Sequence, residues 1–270
     1  MISKSEKNRI KTKYGPWALI TGASSGIGKK LAYKIGEAGL NLILSARQTE
    51  KLKAIASDIE TRYGISTRIE GVDMSRQDEV KQLIDSISSM EIGLLVVSAG
   101  YGTSGEFHKT ALDPELDMLQ VNCVALTTLT HHFAGKFAGR GKGGGIILLS
   151  SIVGFQGVPY AANYAATKAY VQSLSEGLAL ELKPYGVDVL AAAPGPVRSG
   201  FEARSDMRMG QAMTPESVAS PILKALGRKT TVLPGFLSKF LVGSLSLLPR
   251  WGKVRVMKLV MGGMTKHQRI

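Results

Sequence analysis

Short runs of aliphatic residues recur along this chain, and the segments between them carry apolar residues three and four positions apart. An aliphatic run with no polar alternation suits a strand covered on both faces, and the three-and-four spacing suits an amphipathic helix. The strands so predicted are 17–21, 41–46, 67–72, 94–98, 145–150, 188–193 and 230–233, with helices filling the gaps. Alternation of this kind predicts an α/β fold, a doubly wound parallel sheet with helices on both faces. No repeat or low-complexity linker interrupts it before residue 235. The chain therefore reads as a basic N-terminal extension (1–13), one α/β domain (14–235) and a basic amphipathic C-terminal tail (236–270).

The first predicted strand runs into Thr21-Gly22-Ala23-Ser24-Ser25-Gly26-Ile27-Gly28, and a helical stretch follows to Ala38, closed by Gly39. Glycines there let the backbone turn sharply and approach a pyrophosphate, whose charge the free N–H groups and the helix dipole favour. The G-x-x-x-G-x-G spacing differs from G-x-G-x-x-G, and a glycine turn also serves purely structural ends. An acid at the end of the second strand would bind the ribose of NAD and repel the extra phosphate of NADP. The chain reads Leu44-Ser45-Ala46-Arg47 instead. Arg47 either pairs that phosphate or is solvated at a strand end; with no carboxylate present, NADP(H) is the expected cofactor.

Tyr164 and Lys168 lie four apart, which puts them on one face of a helix. Carbonyl reduction needs a proton donor at oxygen while a hydride reaches carbon. A phenol is a poor exchanger at neutral pH unless a cation lowers its pKa, and that is the role expected of Lys168, which should also hydrogen-bond the nicotinamide ribose. Ser150 and Ser151 close a predicted strand, where a hydroxyl can polarise a substrate oxygen. Asn122 either supports a water chain to Lys168 or is a structural hydrogen-bonding residue.

Taken together, these residues resemble the short-chain dehydrogenase/reductases over about residues 14 to 235. The landmarks stand in family order: Thr21-Gly22-x-x-x-Gly26-x-Gly28, Asp73, Ser98-Ala99-Gly100, Asn122, Ser151, Tyr164-x-x-x-Lys168 and Pro194-Gly195-Pro196-Val197-Arg198-Ser199. The resemblance implies a Rossmann-type domain with a tetrad of Asn122, Ser151, Tyr164 and Lys168. It selects Ser151 over Ser150, because the family serine precedes the tyrosine by thirteen residues. The expected cofactor site takes in Gly22, Ser24, Ser25, Gly26, Ile27, Gly28, Arg47, Asp73 beside the adenine, Ala99, Gly100, Tyr164, Lys168, Pro194, Gly195, Val197 and Ser199. Two positions depart from the pattern: Ser98 stands where the family has Asn, weakening local strand support, and Ser199 where it has Thr, keeping a hydroxyl for the carboxamide. The phrases Tyr14-Gly15-Pro16-Trp17, Gly39-Leu40-Asn41-Leu42 and Glu91-Ile92-Gly93-Leu94 are similar to the 3-ketoacyl-CoA reductase and 17β-hydroxysteroid dehydrogenase branch. That similarity implies a lipid-like ketone or alcohol as substrate, and the family implies a homodimer or homotetramer built through the helices holding Asn122 and Tyr164.

Composition adds constraints at the ends. The formal charge is +13, with five cations against Glu6 in residues 1–13 and six cations without an acid in residues 250–270. Basic ends suit nucleic acid, an anionic membrane or plain solvation; no nucleic-acid role is expected. The single cysteine, Cys123, leaves no disulfide framework, and the histidines lack ligand spacing, so no metal is expected. The polar N-terminus lacks a signal-peptide pattern and no apolar run is long enough to span a bilayer, so a cytoplasmic protein is expected. Residues 200–213 read as a mobile lid whose Met207, Met209 and Met213 either grip an alkyl chain or pack on the body. The tail lies on a membrane, on a sister subunit or on the body. The competing function is an NADP(H)-binding redox sensor without chemistry, which has no need of Tyr164, Lys168 and Ser151 together.

Overall fold

Strands rich in aliphatic residues need cover on both faces, and helices supply it here. The computed structural model describes residues 2–210 and 212–268; Gln211 of the expected lid and Arg269 of the basic tail lie outside the described residues. In chain order the elements begin α1 (Lys4–Tyr14), β1 (Trp17–Thr21), α2 (Gly26–Glu37), β2 (Asn41–Ser45), α3 (Thr49–Tyr63), β3 (Thr67–Glu70), α4 (Gln77–Ser86) and β4 (Ile92–Val97). They continue with α5 (Leu112–Leu119), a π-helical turn (Gln120–Ala125), α6 (Leu126–Gly139), β5 (Gly144–Leu149), α7 (Ala162–Glu181) and β6 (Val187–Ala192). The chain then forms α8 (Phe201–Ser205), α9 (Pro215–Ala225), β7 (Thr231–Val232), α10 (Phe236–Ser246) and α11 (Arg250–Met264).

The seven strands form one parallel sheet in the order β3-β2-β1-β4-β5-β6-β7. All seven predicted strands are present; the first matches in full, and no end of the others is displaced by more than two residues. Val72 illustrates why: it is buried, but in a loop beyond β3, so its hydrophobicity reports burial and not pairing.

Alternate strand residues feed two separate cores. Ile20, Leu44, Val96 and Ile147 pack with Leu31 and Ile35 of α2, Leu52 and Ile59 of α3, and Val218 and Ile222 of α9. Leu19, Ile43, Leu95 and Ile146 pack on the other face with Leu129, Phe133 and Phe137 of α6 and Val171 of α7. A buried side chain of this size stabilises by about 1.5–3 kcal/mol, which makes these two layers the main support of the fold.

The basic N-terminal extension is not simply solvated. Its residues 4–13 form most of α1, whose Ile10 and Tyr14 are fully buried in the first core. Arg9 donates to the carbonyls of Leu223 and Leu226 at 2.9 and 2.8 Å, Glu6 pairs with Arg228 at 2.5 Å, and Lys7 with Glu37 at 2.8 Å. Much of the basic character at this end is thus engaged with the body.

Candidate active site

Strand order reverses between β1 and β4, and in open parallel sheets a crevice forms beyond the strand ends at such a point. A cleft of about 690 Å³ lies there. Its floor is the turn from β1 into α2. Gly22 has φ +66°, and a Cβ on it would stand 2.8 Å from the Ala99 nitrogen; Gly26 has φ +55°, and its Cβ would press on Ser199 at 3.1 Å. A Cβ on Gly28 would overlap the Gly22 carbonyl. Side chains are therefore excluded from the cradle. Ser25 caps α2 without a side-chain hydrogen bond to it, so the first-turn N–H groups keep their capacity for an anion. The residues present fit a pyrophosphate. Thr21 Oγ1 accepts from the amides of Ser98 and Ala99 at 3.2 and 3.1 Å, so β4 stays tied to β1 with serine in place of the family asparagine.

At the far end of the cradle Arg47 reaches Asp73 at 3.6 Å. Burial raises the Asp73 pKa, but bonds from Ser75 and the Arg47 charge outweigh it and hold the carboxyl below its ordinary value. Lys51, one turn along α3, and Arg204 of α8 also line this end of the cleft. Sequence reasoning missed both: a lysine and an arginine on helices carry no local signal of what they face. Arg204 lies 4.9 Å over the Tyr101 ring, and burial together with the Arg47 charge pushes its pKa down.

The middle of the cleft is set by α7. Tyr164 and Lys168 lie on one buried face of this 20-residue helix, with the Lys168 ammonium 5.8 Å from the Tyr164 ring centre. Burial pushes the Tyr164 phenol up to about 12, and a hydrogen bond with Ser151 pulls it down. Burial of the phenol here outweighs the lowering expected of Lys168, whose Nζ donates to the Leu149 carbonyl at 2.8 Å and whose own pKa burial brings down to about 8, with Cys123 opposing. Ser150 points elsewhere and donates to the Lys168 carbonyl at 3.0 Å, so Ser151 is the serine beside the phenol.

Asn122 is committed on every side. Its Nδ2 donates to the Tyr101 carbonyl at 2.8 Å and to Thr167 Oγ1 at 3.0 Å, and its Oδ1 accepts from the Tyr101 amide at 3.1 Å. Thr167 in turn donates to the Tyr164 carbonyl at 2.7 Å. Of the two roles expected, the structure shows the bracing one. The residue sits in the π-helical turn between α5 and α6, a feature that apolar periodicity does not reveal.

Every other expected site residue except Gly28, which lies beneath Gly22, lines the cleft. Its remaining wall is apolar. Met207 is buried and lines it with Met209, whereas Met213 packs against Gly235 and bridges Val197. From the tail, Leu241 and Leu245 of α10 and Val256, Met257, Val260 and Met261 of α11 complete the wall. The tail therefore packs on the body, one of the three placements its sequence allowed, and the inward turns of both helices contribute to the site.

Comparison with known proteins accords with this geometry. The family profile described as short chain dehydrogenase matches residues 16–209. A 7β-hydroxysteroid dehydrogenase of Clostridium sardiniense is 31% identical over 234 residues, covering 85% of this chain and 89% of that one. A very-long-chain 3-oxoacyl-CoA reductase of Debaryomyces hansenii is 33% identical over 230 residues, covering 80% of this chain and 65% of the relative. Among solved structures, one of a 7β-hydroxysteroid dehydrogenase superposes with a TM-score of 0.85 at 27% identity, covering 92% of this chain and 98% of that one. A short-chain dehydrogenase of Sphingobium yanoikuyae in complex with NADPH gives a TM-score of 0.79 at 29% identity, covering 87% and 97%. The chain belongs to the short-chain dehydrogenase/reductase family. It is an oxidoreductase that binds a nicotinamide cofactor and interconverts a carbonyl and an alcohol on a small molecule.

Proposed function

We propose that this protein reduces a lipid-like ketone with NADPH, with Tyr164 as proton donor, Ser151 as the hydroxyl that orients the carbonyl oxygen, and Lys168 and Asn122 as their support. The observation that carries this reading is one continuous cleft: the glycine cradle leads past a buried Tyr164 in contact with Ser151 into a wall of methionine, leucine and valine. The nicotinamide supplies the hydride when bound. Ser151 donates to the substrate oxygen and Tyr164 gives up its proton to it, while exclusion of water by the apolar wall strengthens both contacts. Lys168, at the cradle side of Tyr164, holds positive charge where the phenolate forms.

Preference for NADPH over NADH rests on Arg47 and Lys51 at the ribose end with no acid at the close of β2. Asp73 already engages Arg47 in the ion pair, so the guanidinium is held in place at the cradle. A homo-oligomer through the helices of Asn122 and Tyr164 is supported by apolar side chains exposed there, Leu116 at 50%, Tyr170 at 41% and Leu180 at 69%. The substrate class rests on the apolar wall and on the names of the relatives.

The test is nicotinamide absorbance during turnover with NADPH or NADH against 3-ketoacyl thioesters, ketosteroids and small aldehydes, with Tyr164→Phe as control. We expect NADPH to be preferred, an apolar ketone to be consumed, and the variant to lose at least about a thousandfold in kcat. Binding of NADPH with no turnover of any compound, unchanged in Tyr164→Phe, would favour the redox-sensor reading. That alternative is disfavoured by Ser151, Tyr164 and Lys168 converging beside the cradle, an arrangement that a sensor does not need.

A further inference from the structure

The last two helices turn one side to the cleft and the other to water. On α10 the exposed positions include Phe236, Lys239, Phe240 and Leu247, whose spacing puts them on a single face. Phe236 is 82% exposed and Leu247 86%, and the rings of Phe236 and Phe240 stack 6.1 Å apart. On α11 Trp251, Arg255, Lys258 and Leu259 share the outer face, with the Arg255 guanidinium 4.8 Å over the Trp251 ring. Aromatic and aliphatic side chains this exposed are costly in water, and their concentration on two adjacent helices marks a contact surface. No acid follows Glu216 in the sequence, so Lys239, Arg250, Lys253, Arg255 and Lys258 have no carboxylate on their own helices.

We propose that the outer face of α10 and α11 docks on an anionic lipid bilayer, which sets the mouth of the cleft against the membrane surface. Charge decides the partner. A second copy presenting the same face would set these cations against one another with no acid to relieve them, whereas anionic headgroups supply the opposite charge and the acyl layer takes the apolar side chains. Tryptophan and phenylalanine favour the headgroup level, and long basic side chains bury their stems while keeping their charge among phosphates. No helix among the described residues is long and apolar enough to cross a membrane, so the docking is on the surface. Val256 and Val260 line the cleft and are also 36% and 48% exposed, so the cleft wall and the docking face meet along α11. A lipid ketone leaving the bilayer therefore reaches the cleft without crossing water; this last consequence rests on the substrate class proposed above, and the docking itself does not.

The experiment is co-sedimentation of the full chain with vesicles of phosphatidylcholine alone or mixed with phosphatidylglycerol. We expect pelleting with the anionic vesicles only, reversed at about 0.5 M salt. The triple variant Lys253→Glu, Arg255→Glu and Lys258→Glu should lower partitioning about a hundredfold. Phe236→Ser with Trp251→Ala should lower it at least about tenfold. None of these side chains lines the cleft, so both variants keep NADPH binding and turnover of a water-soluble ketone. Absence of pelleting with either vesicle overturns the proposal, as does pelleting that both variants retain, which would place the contact elsewhere on this basic protein. A wild-type dimer that ignores vesicles and falls to monomer in the variants, by sedimentation velocity, also overturns it and makes the face a subunit interface. Intact pelleting with no ketone turned over sinks the proposed substrate and leaves the docking standing.

Discussion

Tyr164 sits in surroundings that keep its proton on: burial pushes its pKa up to about 12, opposed by the Ser151 hydroxyl. A neutral phenol is ready to protonate a carbonyl oxygen and is a poor base toward an alcohol. The two directions should therefore respond differently to pH. Oxidation of the alcohol, in which Tyr164 accepts a proton, rises with pH up to about 12, while reduction, in which it donates, stays flat below that value. Profiles of kcat/KM in both directions check this, and parallel slopes would remove Tyr164 from the proton path. Lys168 makes a stability prediction as well. Its pKa is lowered by burial from the ordinary 10.5 to about 8, with Cys123 opposing. Between those values the unfolded chain binds the extra proton, so stability rises with pH across that window, and below it the folded state carries a buried charge. That charge costs on the order of 3 kcal/mol at neutral pH. Lys168→Met should therefore be more stable by about 2 kcal/mol in urea unfolding while turnover collapses. Unchanged or lower stability would mean that the Lys168–Leu149 hydrogen bond outweighs the burial. Sequence identified both residues through their spacing, but the direction of the Tyr164 shift was not legible in it. Burial and the aim of an ammonium group depend on neighbours brought from other strands.

At the scale of elements, the strands, the glycine turn and α7 were legible because each is a local pattern: an aliphatic run, three glycines at a strand end, a tyrosine and a lysine one turn apart. The π-helical turn was not, because it differs from an α-helix by a single shift of hydrogen-bond register and leaves composition unchanged. Its consequence is the brace from Asn122 to both backbone groups of Tyr101 and to Thr167. Asn122→Leu would take this partner from both backbone groups of Tyr101, at about 1–3 kcal/mol for each that water cannot reach, while Thr167 keeps its bond to the Tyr164 carbonyl. We expect a total loss of about 2–4 kcal/mol in denaturant unfolding. A loss under about 0.5 kcal/mol would show that the brace is dispensable.

At the scale of the whole molecule, the turn after α11 closes onto the segment beside the cleft. His267 Nε2 meets Asp206 Oδ1 at 3.0 Å, Gln268 Nε2 donates to the Asp206 carbonyl at 2.6 Å and to Ser104 Oγ at 2.9 Å, and the Arg208 amide donates to the Met264 carbonyl at 2.9 Å. These bonds clasp the residues just after α8, within the expected lid of 200–213, to the end of α11 and the turn beyond it. His267→Ala with Gln268→Ala should speed proteolytic cleavage within residues 200–210 and raise KM for an apolar ketone several-fold, with a shift in Tm of only a few degrees. Unchanged cleavage and KM would show that the lid is held by its methionines alone. No pattern within either segment announces this clasp, since Asp206 and His267 are polar residues in irregular stretches 61 positions apart. The same holds for α1, whose string of lysines and arginines reads as solvated until Ile10 and Tyr14 are seen buried beneath the sheet. By itself the sequence determined the α/β alternation, the cradle and the residues beside it, because backbone geometry and hydrophobic period are set by neighbours in the chain. Tertiary structure alone decided which wall the tail builds, what Asn122 braces and what burial does to each pKa. Those depend on the dielectric and the partners that distant segments bring to a point.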